Sequence, residues 1–461
     1  MKKIIFIVLL LTSFKSLAQS DSVTILSVDT FLYYVKNFHP LAKQAALKLQ
    51  EGQSTLLSAR GNFDPKINVG YDEKYYQQKE YYQYTNTTLS IPTWAGIDLK
   101  AGYNNSYGDY INPEYKTPGA GLYQAGISVP LLQGLLFDQR RNAFRQAELY
   151  EKATSEERRI ILNELQLDAG NTYWNWYQSY QNWKLYSEVY AVNKKRVEAI
   201  KSSALLGDRP FLDTVEATVQ LQERFLNLEQ AHLDYLKRSY EVSGFLWNSE
   251  NIPLLIGENT IPSNEVTLST NVINVATTEE IMEQHPQINL ANYKISSLEF
   301  EKRWKQEQLK PTLNVNYNAL NYATTNGEAL TYNLNNYKWG FAFSVPLLLR
   351  KERGGVQLAK IKLKDAELDR ERKITLLKNK IAASKEEIIS LDKQLTFYQE
   401  TVIGYQQLLN AENTLFDTGE SSLFLVNSRE SNLVNAKLKL VDLKAKLKKA
   451  VLMYQYNLGE M

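Results

Sequence analysis

The sequence contains no cysteine, so neither a disulfide bond nor thiol chemistry can contribute to the structure or the function. It has only 12 prolines among 461 residues, and the ranges 138–206 and 352–417 have none. Beyond the opening segment 1–18, the chain nowhere has the long uncharged apolar run of a transmembrane helix. If the chain crosses a membrane, we therefore expect it to cross as strands of a closed β-barrel.

The first residues have the pattern of a cleavable secretory signal. A basic start at 1–3 precedes an apolar run at 4–11 and the small residues of 16–18. We predict a signal peptide at residues 1–18 and a mature chain that begins near Gln19. Subtracting the three lysines of that signal from the 53 basic residues leaves 50, against 51 acidic ones. This balance lacks the basic footprint of a nucleic-acid binder, so no nucleic-acid partner is predicted.

The stretch from Glu352 to Asp417 organises the rest of the chain. It contains no proline, and its apolar positions recur in steps of four and three, which predicts supercoiled helices packed along their length. These positions are Leu377, Ile381, Ser384, Ile388, Leu391, Leu395, Tyr398, Val402, Tyr405 and Leu409. At 1.5 Å per residue, such a helix is about 100 Å long.

The chain also repeats itself. The same landmarks occur twice in the same order: a His-Pro pair, a later proline at the same distance from it, alternating apolar residues, a Ser-Val-Pro-Leu-Leu segment and a glycine that interrupts helical pattern. They are His39-Pro40 and His285-Pro286, Pro65 and Pro311, residues 128–132 and 344–348, and Gly207 and Gly419. The spacing of proline and glycine differs by about one helical turn, which a coiled coil absorbs. We infer an internal duplication.

The repeat defines the predicted domains. The first repeat covers 19–278, with strands at about 66–130, a long helix at about 138–206 and a shorter helix at about 211–247. The second covers 279–461, with strands at about 311–346, a long helix at about 352–417 and a shorter helix at about 422–457.

The two strand regions differ in length. The interval from Pro65 to Pro130 is nearly twice as long as the interval from Pro311 to Pro346. We interpret the additional residues, around 84–110, as an extended outer loop or β-excursion, in preference to an additional pair of membrane strands.

The alternation within the strands predicts two different faces. Trp339, Phe341 and Phe343 point one way, and Gly340, Ala342 and Ser344 point the other, as in a membrane barrel with a wet interior. With Asn314 and Asn316, the small or polar set is predicted to face the lumen. A soluble β-sandwich has the same alternation, but about four strands in one protomer leave unprotected edges. Three copies give about twelve strands, which close into a barrel with a lumen.

The predicted fold is therefore a mixed α/β membrane protein: a trimeric transmembrane β-barrel, about four strands per protomer, continued by a long α-helical coiled-coil barrel. The signal, the duplicated units and the glycine turns together resemble the TolC family of outer-membrane efflux ducts. The resemblance covers nearly all of the mature chain. Its best local marks are residues 207–214 and 416–423.

This resemblance implies a homotrimer in the outer membrane of a Gram-negative bacterium, in contact with outer-membrane lipid and extending into the periplasm. It implies a channel-tunnel that exports small molecules, or proteins, as the exit duct of a tripartite efflux or type I secretion system. The implied partners are a periplasmic adaptor protein and an inner-membrane pump. A structural coiled-coil protein of the periplasm or cell surface, with a small β-domain, is the alternative function.

The resemblance also assigns the site residues. The periplasmic tip that docks the adaptor corresponds to Gly207, Asp208, Arg209, Pro210, Gly419, Glu420 and Ser421. Asp213, six positions after the first glycine, and Glu216, one turn further, correspond to a pore constriction. The second repeat departs from that pattern, with Leu425 and Ser428 at the equivalent positions, so only one ring, of Asp213, is implied. The alternative for Asp213 is an ordinary first-turn acid favoured by the helix dipole.

No other residues suggest chemistry. Two of the three histidines, His39 and His285, are repeat-equivalent residues before proline, and the third, His232, stands alone, so no metal site is predicted. An aromatic cluster at 173–183 fits helix packing better than a ligand-stacking box. No nucleophile–base pair or phosphate loop is recognisable. We predict no enzymatic activity and no cofactor.

Overall fold

The computed structural model describes residues 24–257, 259–263, 278–322 and 333–460, and the predicted signal at 1–18 lies outside this part of the chain. The α-helices are α1 (Val28–Phe38), α2 (Pro40–Arg60), α3 (Gln139–Leu205), α4 (Phe211–Ser243), α5 (Thr278–Gln284), α6 (Pro286–Glu307), α7 (Arg350–Asp417) and α8 (Leu423–Leu458). The strands are β1 (Thr24–Leu26), β2 (Lys66–Tyr76), β3 (Lys79–Pro92), β4 (Asp98–Tyr107), β5 (Leu122–Pro130), β6 (Thr260–Pro262), β7 (Thr312–Asn321) and β8 (Tyr337–Ser344).

The chain divides into two compact units. Unit 1 comprises the described residues of Met1–His39, Asp168–Ser269 and Ser390–Lys449, and unit 2 those of Pro40–Leu167, Thr270–Ile389 and Ala450–Met461. The helices α3, α7 and α8 each contribute residues to both units. None of the described helices has a stretch long and apolar enough to cross a membrane.

Unit 2 contains one antiparallel sheet of six strands, in the order β2-β3-β4-β5-β7-β8. The register places apolar side chains opposite one another on one face, which is largely exposed. That face carries Ile67, Val69, Leu89, Ile91, Leu99, Ala101, Ile127, Val129, Leu313, Val315, Trp339, Phe341 and Phe343. The other face carries amides, hydroxyls and glycines, including Asn68, Gly70, Asn86, Thr88, Gly102, Asn104, Gln124, Gly126, Asn314, Asn316 and Gly340.

The strand count differs from the prediction. The protomer contributes six strands to this sheet rather than about four, and the residues around 84–110 are not an outer loop, because they belong mainly to β3 and β4. Threonines 85 and 87 of β3 occupy positions on the apolar face where the sequence pattern requires apolar residues. Threonine is β-branched and favours strands, but it does not register as apolar, so an apolar and polar alternation does not mark β3 in the sequence.

The helices of unit 2 lie side by side in the order α2-α3-α6-α7. Gly52 of α2 is so close to α3 that an added Cβ would lie 2.6 Å from Oγ1 of Thr154. Gln146 of α3 donates to the carbonyl oxygen of Ser297 in α6 at 3.5 Å. Nε of Arg370 in α7 donates to Asn292 of α6 at 2.6 Å. Small and polar residues therefore set the spacing of this helical layer.

The predicted seam of α7 is largely buried. Leu377, Ile381, Ile388, Leu391, Leu395 and Leu409 are each at most 8% exposed, and Ser384 is 4% exposed. Tyr398, Val402 and Tyr405 are half-buried. The heptad pattern thus marks the buried stripe of this helix, as a coiled-coil interpretation requires.

The aromatic cluster of α3 fills the core of unit 1. Tyr173, Trp174, Trp176 and Tyr177 are each at most 4% exposed. The Tyr173 hydroxyl donates to the Leu26 carbonyl oxygen at 2.8 Å, and Nε1 of Trp176 donates to Ser239 of α4 at 2.9 Å. These residues are packing residues, as the sequence favoured.

The helix α4 ends at Ser243, before the predicted end near 247. Gly244 is its C-cap, and Trp247 then pairs with Pro253 in an isolated antiparallel bridge. Gly244 keeps right-handed helical dihedral angles, and the chain leaves the helix through the turn that follows it.

His285 in unit 2 caps the N-terminus of α6 with its side chain. Its Nδ1 accepts a hydrogen bond from the backbone N–H of Gln287 at 3.2 Å, and Pro286 occupies the first helical turn. The side chain is 3% exposed. Burial, assisted by the positive charge of Arg159, lowers its pKa to about 4. The neutral imidazole is therefore the form that the fold requires.

We predict that His285 makes folding sensitive to acid. Because its pKa is lowered in the folded state, the unfolded chain binds the proton first, near pH 6.5, and folding loses up to about 3 kcal/mol per protomer as the pH falls to about 4. The melting temperature of His285→Asn, which retains a capping side chain, should fall less between pH 7 and pH 4.5 than that of the wild type. His39→Asn, at the repeat-equivalent position, is the comparison variant: burial lowers the pKa of His39 too, but at His285 the positive charge of Arg159 adds to burial, so His39→Asn should reduce the acid sensitivity less. Equal acid sensitivity of His285→Asn and the wild type would contradict the prediction.

Candidate functional site

Two tight turns of unit 1 connect α3 to α4 and α7 to α8. Each passes through a glycine in the left-handed conformation, Gly207 with φ 84° and Gly419 with φ 81°. The N–H of Gly207 donates to Ala204 and that of Asp208 to Ser203. Gly419 and Glu420 bond to Phe416 and Leu415 in the same way. This Schellman pattern satisfies the last carbonyl groups of both long helices and requires a residue that tolerates positive φ.

The helices that follow start differently in the two repeats. Pro210 is the N-cap of α4, one position before the first helical residue, rather than a residue of its first turn. In the second repeat Ser422 precedes α8, and its hydroxyl accepts from the Leu425 N–H at 3.4 Å. The two turns therefore share their exit from the long helix but not their entry into the next one.

Arg209 joins the two turns. Its guanidinium lies over the ring of Phe416 at 3.8 Å from the centroid, and Nη2 donates to the Phe416 carbonyl oxygen at 3.1 Å. That carbonyl belongs to the last turn of α7, where a positive charge is favoured by the helix dipole. A cation–π contact and a charge-assisted hydrogen bond thus hold the first turn against the end of the second long helix.

The two predicted constriction residues lie on α4 close to this contact, and both are half-buried. The Asp213 carboxylate forms an ion pair with Nη1 of Arg209 at 4.0 Å, and the two residues are four positions apart in the sequence. The Glu216 carboxylate accepts from the amide of Asn427 in α8 at 3.1 Å. Asp213 is therefore partly neutralised within its own turn, and Glu216 is engaged in packing between α4 and α8.

Another acidic group lies beneath the second turn. Glu412 accepts hydrogen bonds from the Ser421 hydroxyl and from Nε of Arg429, the latter at 3.3 Å. These bonds outweigh partial burial and lower the pKa of Glu412, which keeps it ionised. Ser421, a predicted tip residue, is in this way attached to both α7 and α8.

A buried charged cluster, which the sequence reasoning missed, lies farther from the turns. Glu430 of α8 is 5% exposed and accepts from Asn193 and Arg196 of α3. Arg224 of α4 is 4.0 Å from Glu430 and donates to Ser431 at 2.7 Å. The sequence contains one indication of this cluster. Glu430 occupies a position of the apolar seam of α8, in the series Leu423, Val426, Glu430, Leu433.

The surface around the two turns combines a polar cleft with exposed apolar side chains. A cleft of about 540 Å³ is lined by residues of both turns, among them Arg209, Asp213 and Gly419. Five large apolar residues beside it are each more than two thirds exposed: Leu205, Leu206, Phe211, Leu212 and Phe424. Exposed apolar side chains in one region are typical of an interaction surface.

In the part of the chain that the structure describes, no group of three His, Cys, Asp or Glu residues is placed to hold a metal ion. What the turns present is an exposed surface with hydrogen-bonded charged residues beneath it.

Residues 278–453, which lie in the second repeat, match the model of a family described as outer membrane efflux protein. A comparison with curated proteins gives no match.

Solved structures of outer-membrane channels are similar to this chain over most of its length. The CmeC channel of Campylobacter jejuni is 14% identical, with a TM-score of 0.65 over 94% of this chain and 85% of that one. The VceC protein of Vibrio cholerae is 14% identical, with a TM-score of 0.66 over 94% of this chain and 96% of that one. The open MtrE channel of Neisseria gonorrhoeae is 12% identical, with a TM-score of 0.66 over 94% and 88%.

At these identities the structural similarity establishes the fold, and the family model supplies the independent sequence match. Together they show that residues 278–453 are similar to the outer membrane efflux protein family and that the chain has the fold of these channels.

Proposed function

We propose that this protein is the outer-membrane exit duct of a tripartite efflux system and exports small molecules. The observation that carries the proposal is the six-stranded sheet, which has an exposed apolar face and a polar face and is joined directly to helices of about 100 Å. An apolar exterior matches membrane lipid, and a polar interior matches aqueous cargo. No observation favours a structural coiled-coil protein.

The proposed assembly is a homotrimer. The sheet of one protomer has two open edges, β2 and β8, which present unpaired backbone groups, and closure with further copies removes them. The apolar face then contacts outer-membrane lipid. The partners are a periplasmic adaptor at the glycine turns and an inner-membrane pump, and no step in this function is enzymatic.

The two faces can be tested by cysteine labelling, because the chain has no native cysteine. We expect Asn316→Cys to react with a water-soluble maleimide in outer-membrane vesicles. Phe341→Cys, on the other face of the adjoining strand, should react only with a lipid-soluble reagent. The inverse pattern would show that the faces are assigned wrongly, and release of the protein from membranes without detergent would favour the alternative function.

We propose that the two glycine turns dock the adaptor through Gly207, Asp208, Arg209, Pro210, Gly419, Glu420 and Ser421. Three features support this: the exposed apolar residues beside the turns, the open cleft, and the Arg209 contact that fixes one turn against the other. A preorganised apolar surface binds with a smaller loss of conformational freedom than a mobile one does.

We predict that Gly207→Val impairs docking whereas Gly207→Asn does not. An added Cβ at Gly207 meets no described atom within 4 Å, so only the backbone conformation is at stake. Asparagine tolerates positive φ, but valine is strained there by about 1–2 kcal/mol or more. Crosslinking to the adaptor should therefore fall about tenfold for valine alone. Equal crosslinking of both variants would show that docking does not depend on the backbone conformation of this turn.

The proposal also places Asp213 at the pore constriction, with Glu216 as a secondary candidate. In a trimer, three Asp213 carboxylates would converge near the turns and attract cations. The ion pair with Arg209 reduces this field, and the hydrogen bond from Asn427 directs Glu216 toward α8. Asp213 is therefore the stronger candidate.

We predict that Asp213→Asn weakens block by divalent cations at least about threefold at low salt, because exposed charges act strongly only when they are not screened. Single-channel recording in planar bilayers measures this. Glu216→Gln is the control and should change the block less. If Asp213→Asn leaves both conductance and block unchanged, Asp213 is a first-turn acid that the helix dipole favours.

A further inference from the structure

The first repeat contains a β-hairpin, β3 with β4, that the second repeat lacks. The first repeat supplies four strands to the sheet, β2 to β5, and the second supplies two, β7 and β8. The additional hairpin lies within the sheet, between β2 and β5, and is not attached to an edge. The sheet cannot omit it without breaking two strand pairings.

The hairpin also continues both faces of the sheet. On the apolar face Leu89 is paired with Ile67, and Leu99 with Ile127. On the polar face the Asn86 amide donates to Asn104 at 2.9 Å. The strands have 14 and 10 residues, enough for a tilted strand to cross a membrane. The hairpin therefore has the same apolar and polar faces as the neighbouring strands, which a water-exposed excursion would not need.

The turn of this hairpin is attached to the helices of unit 2. Trp94 lies 5.1 Å from the ring of Phe63 and 5.0 Å from that of Phe144, which belongs to α3. Nη1 of Arg140 forms an ion pair of 2.8 Å with Asp98, the first residue of β4. The hairpin therefore runs the full height of the sheet and ends on the helical layer.

The widths of the two layers agree only when all six strands are counted. Four helices about 9 Å apart cover roughly 36 Å. Six strands spaced about 4.8 Å and tilted about 40° cover roughly 38 Å, whereas four strands would cover roughly 25 Å. Because the helices α2, α3, α6 and α7 lie side by side, a six-stranded sheet continues them without a step in width.

We propose that three copies close a barrel of eighteen strands, six from each copy, with β8 of one copy paired to β2 of the next. This rests on the trimeric duct proposed above. Because the protomer has an even number of antiparallel strands, its two edge strands run in opposite directions and form an antiparallel pair with the neighbouring copy. The barrel has a backbone radius of about 18 Å, against about 12 Å for twelve strands.

The number of strands sets the width of the lumen and therefore the size of cargo that can pass. After side chains are allowed for, eighteen strands leave a lumen of roughly 25 Å, lined in its middle by amides, hydroxyls, glycines and Lys100, which donates to Asn316 at 3.5 Å. Such a lumen passes bulky, hydrated, polar molecules.

Two measurements on the full-length protein test the closure. A cryo-electron microscopy map of the trimer in lipid nanodiscs should show eighteen strands. In the double variant Gly70→Cys/Gly340→Cys, a bifunctional maleimide with a short spacer should give covalent dimers and trimers, because paired strands are close neighbours. Gly70 lies on β2 and Gly340 on β8, on the same face, and an added Cβ meets no described atom closer than 4.0 Å at either position.

The matched control is Asn104→Cys/Gly340→Cys, because Asn104 lies on that face of the inner strand β4. Eighteen strands predict no crosslink for this pair. A twelve-strand map, a crosslink through Asn104 instead of Gly70, or an assembled trimer that crosslinks through neither pair would each overturn the proposal. Failure to form any trimer in the membrane would count instead against the duct itself.

Discussion

The unpaired backbone groups on the outer edges of β2 and β8 constrain the rest of this structure. A sheet with one apolar face cannot end in lipid, because each exposed N–H and C=O would cost several kcal/mol there. Closure with further copies solves this, and closure in turn requires a consistent apolar and polar alternation in all six strands. The register meets that requirement from Ile67 in β2 to Phe341 in β8. In the proposed duct, assembly and membrane insertion are therefore one requirement, because a single protomer leaves both sheet edges open.

The long helices face a different constraint, since a continuous apolar seam permits slippage by one heptad. The buried cluster around Glu430 opposes such slippage. A shift of α8 by one heptad would separate this carboxylate from Asn193 and Arg196 of α3 and would bury an unpaired charge. A single polar residue at a seam position is the best-attested way in which coiled coils specify register. Gly52 acts similarly for α2 and α3, because an added Cβ there would collide with Thr154.

Local signals in the sequence were sufficient for the architecture but not for its contacts. The glycines at 207 and 419 marked both turns, because only the left-handed conformation ends these helices as observed. The seam of α7 was recognisable from its period alone. The strand β3 was missed, since threonine replaces apolar residues at positions 85 and 87. The contact between Arg209 and Phe416 joins residues 207 positions apart, and that between Arg196 and Glu430 joins residues 234 apart. No pattern within one helix encodes such pairs.

The duplication has a consequence for the end that carries the glycine turns. The two turns leave their long helices with the same backbone geometry, so a trimer would present six similar loops in a ring. Their chemistry differs, however, because the first repeat has Pro210 and Asp213 where the second has Ser422 and Leu425. Arg209 increases the difference by binding the end of α7, a contact for which Ser421 offers no equivalent cation. A partner that docks there would meet two alternating surfaces, one with an ion pair and one with apolar and hydroxyl groups. In the proposed trimer the ring would therefore be close to sixfold in its backbone and threefold in its chemistry, so a threefold partner could distinguish between two registers 60° apart.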